Sequence, residues 1–403
     1  MHDSYASLRI PNFRRLILAY ATSSAAREAQ MVVVGWQVYE MTRDPLSLGL
    51  IGLAEALPFI AIALYAGHIA DRLNRRMIAI AGTCGLLLSA IALLVFTLLH
   101  MRATWPIYAV IFVSGLGRSF TRPAVTALSA ELVPREIYSN AVTWRSSTWQ
   151  FAAVGGPALG GLMYGFVGPA AAYGVVCVLM AMSIAAIAWI EHNARPVVAA
   201  NISVGESLRL GFRFLWHEPV VLSAMTLDLF AVLFGGAAAL LPIFTRMLGA
   251  GPQGLGVLRA APAVGSLIVG LYLAHRPPFR RAGPTILSSV GVFGFCIIGF
   301  ALSRNFYLSM LLLTVSGMAD QVSVLIRGTL VQTSTPTHLL GRVSSVNQIF
   351  IGSSNEIGAF ESGLAARLMG TVPSVIFGGS MTLLVVAITA IVSPKLRKLR
   401  ELR

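Results

Sequence analysis

Charge is scarce in this chain. Asp, Glu, Lys and Arg together make up 11% of 403 residues, against about 25% in soluble globular proteins. Hydrophobic residues make up 56%, more apolar surface than a water-soluble domain of this length could hide. The deficit excludes a soluble enzyme, a nucleic-acid-binding domain and a disordered protein. Lysine is nearly absent: Lys395 and Lys398 are the only two. Cysteine is sparse and scattered. Cys84, Cys177 and Cys296 lie far apart in apolar stretches, so no spacing suggests a disulfide or a zinc site. A G-x-x-x-x-G-K-[ST] phosphate loop is missing, so direct ATP drive has no support. H-E-x-x-H and G-x-S-x-G are missing too, so neither a membrane protease nor an esterase is indicated. No cofactor and no metal are expected.

What is present is long apolar runs. Residues 77–101, 146–190, 282–303 and 368–393 carry no Asp, Glu, Lys or Arg. A helical span needs about 20 apolar residues, and 403 residues with short loops hold about twelve. The expected spans are 14–38, 46–70, 77–100, 105–130, 139–165, 169–190, 219–245, 252–275, 284–303, 306–332, 339–368 and 371–393. The first follows Arg14-Arg15 and is interrupted by Arg27-Glu28, so it reads as a membrane helix rather than a cleavable signal.

The formal charge of +14 sorts by side of the membrane. Nineteen basic residues fall in one set of loops and tails and five in the alternating set. That asymmetry places both termini in the cytoplasm and demands an even number of spans. The chain also repeats itself. At an offset of 202, Ser114, Gly115, Leu128, Pro134, Gly156, Gly161 and Gly168 match Ser316, Gly317, Leu330, Pro336, Gly358, Gly363 and Gly370. Pro45-Leu46-Ser47-Leu48-Gly49 is similar to Pro252-Gln253-Gly254-Leu255-Gly256. Two six-helix halves in the same orientation follow, one over 1–190 and one over 219–403, the latter ending in a basic tail. A linker at 191–218 joins them, with Leu208, Phe212 and Leu215 on one face of an amphipathic helix expected at the cytoplasmic surface.

Two motifs carry a resemblance. Between spans 2 and 3 stand Gly67, Asp71, Arg72, Arg75 and Arg76 in the pattern G-x-x-x-D-R-x-x-R-R. Gly67 permits close helix approach, and the charges can latch a cytoplasmic gate. Gly155-Gly156-Pro157-Ala158-Leu159-Gly160-Gly161 in span 5 combines a helix bend with close-packing glycines. The first pattern resembles the signature of the major facilitator superfamily, and the second resembles that superfamily's antiporter motif at Gly156, Pro157, Gly160 and Gly161. Asn12-Phe13-Arg14-Arg15-Leu16, residues 36–42 and Gly341-Arg342-Val343-Ser344 are similar to its drug and siderophore exporter branch. The resemblance implies an all-α membrane protein with the major facilitator fold: twelve transmembrane helices in two pseudo-symmetric bundles, with spans 1, 4, 7 and 10 lining a central cavity.

Intramembrane charge is costly and therefore a functional hypothesis. The candidates are Arg27, Glu28, Glu55, Arg118, Arg122, Arg145, Asp228, Arg259, Asp320, Arg327, Glu356 and Glu361. Six acids face six arginines, which suggests pairing inside the bundle. Arg118 and Asp320 are related by the repeat offset, so a pseudo-twofold axis would set them across the cavity. Glu28 and Asp320 are the first choices for protonation, with Asp228 and Glu356 behind them and Arg118, Arg122 and Arg27 as charge partners. Trp36, Gln321, Asn347, Gln348 and Asn355 are the candidates to touch cargo. The expected function is secondary active transport by alternating access: proton-coupled export of small amphipathic or hydrophobic compounds. The rivals are a metabolite importer or uniporter, and a membrane scaffold or receptor that does not transport. Expected partners are a small-molecule substrate, protons and the lipid bilayer, with no nucleic acid, and the expected form is a monomer in the cytoplasmic membrane.

Overall fold

The computed structural model describes residues 3–191, 204–276, 279–336 and 339–400, without the side chains of residues 59, 63–72, 204–208 and 345. Among these residues the chain is helical throughout. The elements are α1 (Pro11–Thr42), α2 (Pro45–Arg72), α3 (Arg75–Leu98), α4 (Trp105–Glu131), α5 (Tyr138–Phe166), α6 (Pro169–Ala188), α7 (Val204–His217), α8 (Pro219–Gly235), α9 (Leu241–Met247), α10 (Pro252–Ala274), α11 (Ala282–Leu302), α12 (Phe306–Ser334), α13 (Leu340–Met369), α14 (Thr371–Val392) and α15 (Pro394–Arg397). The expected spans therefore stand as α1–α6, α8 with α9, and α10–α14.

One expected span is broken. Residues 219–245 read as one helix, yet α8 ends at Gly235 and a short 3-10 turn, Ala237–Leu240, precedes α9. Gly235 and Gly236 weaken the helix there, and Pro242 in the first turn of α9 has no N–H to continue the ladder.

Among the described residues, eight segments are long and apolar enough to cross a membrane by composition alone. Of the long helices, α1, α4, α5 and α13 fall outside that set. These four carry Arg27 and Glu28, Arg118 and Arg122, Arg145, and Glu356 and Glu361 respectively. Their weak hydropathy reflects charge that must face protein rather than lipid.

Two compact units emerge. The first holds Met1–Met41, Ala54–Asn201 and Gly251–Ala260, and the second Thr42–Leu53, Ile202–Ala250 and Ala261–Arg403. In the first, α3 packs on α4 and α6. Its core joins Phe13, Leu16, Leu128, Ile187 and Ile190, with a second cluster of Ala26, Ala29, Leu86, Val176 and Met180. In the second, α11 packs on α12 and α14, and α8 on α13 and α14. Its core joins Leu227, Ile286, Ile326 and Leu330.

The repeat seen in sequence is a repeat of contacts. Gly168 and Gly370 both take positive φ, 110° and 91°, where they turn α5 into α6 and α13 into α14. Gly156 lies against Ala25 and Glu28 of α1, and its counterpart Gly358 against Val232 and Leu233 of α8. Gly161 lies against Pro252 and Gly256 of α10, while Gly363 lies against Pro45 and Gly49 of α2. These last contacts explain why the first turns of α10 belong to the first unit and those of α2 to the second. An ion pair between Asp44 and Arg367 at 3.1 Å adds to the latter.

Helix α7 packs on α13, where Gly211 meets the Arg342 carbonyl and Val346. Leu215 is fully buried with Val221, Met225, Val331 and Val343, while Phe212 and Trp216 stay exposed. The amphipathic helix expected in the linker is thus docked on protein through part of its apolar face. Residues 192–203 of that linker lie outside the described residues.

Candidate transport site

The first unit buries a charge network built on α1, α2 and α4. Gly115 of α4 presses onto Pro58 and the Glu55 carbonyl of α2, which brings the two helices into close contact beside Glu55. Arg118, one turn further on, donates from Nη1 to Glu55 Oε1 at 2.6 Å. Arg27 Nε of α1 lies 3.5 Å from the same oxygen, and Arg27 Nη1 donates to Glu28 Oε1 at 3.3 Å. Glu55 is 4% exposed. The charge of Arg259, from the first turns of α10, also acts on it. Arg122 follows Arg118 by one turn of α4, and the charges of Arg118, Arg27 and Arg145 all act on Arg122.

Within its own unit Arg118 engages the Glu55 carboxylate. Sequence reasoning noted Glu55 as an intramembrane acid but did not rank it. The signal that could have found it is the pair Gly115 and Arg118, which places a small residue and a guanidinium within one turn facing a neighbouring helix. Arg145, Arg259 and Arg327 were also named without a role.

The antiporter-like motif sits beside this network. A Cβ on Gly156 would stand 2.7 Å from both the Ala25 carbonyl and Glu28 Cβ, and one on Gly160 would stand 2.6 Å from the Ala29 carbonyl. These two glycines seat α5 on the segment of α1 that carries Arg27 and Glu28. Gly161 faces α10 instead, and the Pro157 carbonyl approaches Gly256.

The second unit holds a different arrangement. Arg327 of α12 pairs with Asp228 of α8, and the two are 4% and 7% exposed. Asp320 lies two turns before Arg327 on α12, a spacing that returns to the same helix face. The charges of Asp228 and Arg327 both act on Asp320. Asp228 thus pairs with Arg327, and Asp320 lies within the field of both. Glu356 is buried on α13 and Gly52 lies against its carbonyl, so Glu356 is not part of that trio by any contact described. Glu361 is partly buried further along α13.

The loop signature divides its work. Arg75 pairs with Glu131 at the end of α4, and Arg76 donates to the carbonyls of Ile187, at 3.2 Å, and Ala188 at the end of α6. Asn74 caps α3 by accepting from the amides of Arg76 and Met77. Arg15 joins at the same end of α6, donating to the Trp189 carbonyl at 2.5 Å and pairing with Glu191 at 3.5 Å. Gly67, Asp71 and Arg72 are helical in α2, but their side chains lie outside the described residues.

The cargo candidates do not form one cluster. Trp36 is 5% exposed, and its indole N–H has no partner among the described residues. Gln321 and Asn347 are half-buried, and Gln348 is exposed. Asn355 is exposed and donates its amide to the Ile351 carbonyl of its own helix at 2.7 Å, which satisfies part of that side chain locally.

Twinned six-helix repeats, buried ion pairs within the spans and a cluster of arginines at the helix ends fit a multi-pass membrane transporter of the major facilitator class, not an enzyme. Residues 2–402 match the family model described as transmembrane secretion effector, and the chain belongs to that family. It is 27% identical to the enterobactin exporter EntS of Shigella dysenteriae over 97% of this chain and 94% of the relative. It is 24% identical to the multidrug efflux pump Tap of Mycolicibacterium fortuitum over 95% of this chain and 96% of that one. Among solved structures, it superposes on a bacterial homologue of the human lysosomal transporter Spinster, inward-facing and occupied. That match has a TM-score of 0.74 at 14% identity and covers 98% of each chain. The nucleoside transporter NupG gives 0.73 at 11% identity, covering 95% of this chain and 100% of that one. Such distant likenesses show the fold.

Proposed function

We propose that this protein exports small amphipathic or hydrophobic compounds in exchange for protons, by alternating access. The observation that carries the reading is the trio Asp228, Asp320 and Arg327. Two carboxylates beside one guanidinium bear a net charge of −1 inside the membrane, where uncompensated charge is costly. One proton neutralises the trio, so proton binding and release change the cost of exposing or closing the site. Asp320 is the residue that takes the proton, because Asp228 already holds Arg327. The Glu28, Arg27, Glu55 and Arg118 network on the other unit makes the second set of charges that reorganise during the cycle. The resemblance to an enterobactin exporter and a multidrug efflux pump supports outward transport of amphipathic cargo. The Arg75–Glu131 pair and the capping of α6 by Arg76 support a cytoplasmic latch. In this reading the protein works as a monomer in the cytoplasmic membrane with both termini inside.

The test is a cargo screen in bacterial cells stripped of their other pumps. Expression of the protein lowers accumulation of at least one amphipathic compound, and Asp320→Asn at equal membrane abundance abolishes the effect. Full efflux by that variant overturns the proton-site assignment. Accumulation that rises on expression favours an importer. A compound-independent phenotype favours a scaffold.

A further inference from the structure

The second unit has an open groove that no step of the transport reading uses. It measures about 300 Å³ and is lined by Val269 of α10, Thr285, Ser288 and Val292 of α11, and Val315 and Val322 of α12. Thr285, Ser288 and Val292 follow one face of α11, and Val315 and Val322 stand two turns apart on one face of α12. At about 1.5 Å per residue, the strip from Thr285 to Val292 is about 10 Å long. Its hydroxyls are satisfied locally: Thr285 donates to the Arg281 carbonyl at 2.8 Å and Ser288 to the Thr285 carbonyl at 3.0 Å. What the groove offers a ligand is therefore apolar surface, and Ser288 and Val292 are exposed along it. One end is basic. Arg281 stands one turn before Thr285 and is exposed, as is Arg280. On α10, Tyr272 follows Val269 by one turn, and Arg276 Cζ lies 4.9 Å from the centre of the Tyr272 ring, both residues being exposed. The C-terminal segment fixes this end, because the amides of Ala282 and Gly283 donate to the Arg400 and Leu399 carbonyls at 3.1 and 3.0 Å. Those first amides of α11 are thus taken, and the arginine side chains are what an anion would meet.

We propose that the groove holds one acyl chain of an anionic phospholipid, with the lipid's phosphate against Arg276 and Arg281 where α10 ends and α11 begins. Guanidinium groups present paired N–H donors in a fixed plane that matches a phosphate. An aromatic ring beside an arginine at a helix end is the side-chain pairing that membrane helices place at headgroup level, and Tyr272 with Arg276 supplies it. From that level the strip Thr285, Ser288 and Val292 leads into the apolar part of α11, where hydrocarbon is the matching occupant. Basic pockets between membrane helices favour anionic headgroups, whereas a zwitterionic lipid brings its own cation up to the same arginines. Head and chain are both needed: the exposed arginines alone hold a phosphate weakly in water, and the groove alone does not distinguish one lipid from another. The inference requires only that the chain spans a membrane. It does not depend on the direction of transport or on coupling to protons.

The experiment uses the purified full-length protein in one nonionic detergent and three probes: dioctanoyl phosphatidylglycerol, dioctanoyl phosphatidylcholine, and glycerol 3-phosphate, which has the phosphate without a chain. Thermal unfolding is followed as each probe is added. Phosphatidylglycerol raises the unfolding midpoint saturably, phosphatidylcholine needs at least tenfold more for the same shift, and glycerol 3-phosphate has no effect. The double variant Arg276→Gln with Arg281→Gln abolishes the preference for phosphatidylglycerol over phosphatidylcholine. Ser288→Phe and Val292→Phe, made separately, fill the groove and weaken the response to both lipids at least tenfold. Both lie at exposed positions, so their midpoints without lipid stay near that of the native chain. Arg304→Gln, a basic residue just past the other end of α11, responds as the native chain does. Four outcomes overturn the proposal: equal half-saturation by the two lipids, a lipid preference that survives loss of both arginines, a phosphatidylglycerol response unchanged in both Phe variants, or no response to any probe. A response to glycerol 3-phosphate equal to that of the lipid also overturns it, because the groove would then contribute nothing.

Discussion

Removing the Glu55 carboxylate tests whether the buried network is arranged as described. Glu55 is 4% exposed, accepts from Arg118 at 2.6 Å and lies 3.5 Å from Arg27 Nε. Glu55→Gln keeps the shape and deletes the negative charge that Arg118 and Arg27 share. Breaking a buried pair by removing one partner costs about 3–5 kcal/mol. At about 2.1 cal/mol/K of unfolding entropy per residue, 403 residues turn that into a fall of about 4–6 °C in the unfolding midpoint. Arg118→Gln in the Glu55→Gln background removes the stranded cation. The double variant should recover about 2 °C or more relative to Glu55→Gln alone, the non-additivity expected of residues in direct contact. Intrinsic-fluorescence unfolding of the four proteins in one detergent, at one scan rate, measures the cycle. Additive losses would refute the pairing, and so would a Glu55→Gln midpoint equal to that of the native chain.

Two further outcomes follow from the packing. Gly156→Ala sets a methyl 2.7 Å from the Ala25 carbonyl and from Glu28 Cβ, while Gly155→Ala meets nothing within 4 Å. The first should cost about 1–3 kcal/mol by overpacking, and the second should be neutral or gain about 0.5–1 kcal/mol from helix propensity, both read from the unfolding midpoint. Trp36→Phe removes a buried indole N–H that lacks a partner. It should leave the midpoint unchanged or raise it by about 1 °C, since deleting an unsatisfied donor removes its desolvation penalty.

Much of the fold was legible because the membrane enforces a simple grammar. Charge-free runs located the spans, and α4, α5 and α12 begin and end within two residues of the segments read from sequence. The offset of 202 carried further than expected. Gly168 and Gly370 make the same positive-φ turn, and Gly156, Gly161, Gly358 and Gly363 make equivalent helix contacts in the two units. The break at Gly235 and Gly236 was not legible, because two glycines in an apolar run are equally compatible with close packing.

The site was less visible than the fold. Twelve intramembrane charges could be named, but which carboxylate meets which guanidinium depends on the rotation of each helix about its axis. That rotation is set by small-residue contacts between helices distant in sequence. Gly115 against Pro58 and Glu55 is the decisive example, since it delivers Arg118 to Glu55. Arg327 was overshadowed by Asp320, although the seven-residue spacing between them puts both on one face of α12. Gln348 and Asn355 looked costly in lipid as bare amides, and the structure shows Asn355 turning back to the Ile351 carbonyl.

The central claim is that outward movement of cargo is coupled to inward movement of protons. Vesicles reconstituted with the protein, loaded with cargo found in the cellular screen and carrying a lumenal pH dye, test it directly under a gradient of one pH unit imposed in either direction. One pH unit is worth about 1.4 kcal/mol per proton, about tenfold in the cargo ratio at one proton per molecule. Cargo release should be faster with acid outside than with acid inside, the lumen should acidify in step with cargo loss, and Asp320→Asn should abolish both. Release at the same rate under both gradients, with no cargo-dependent proton movement, would contradict the account.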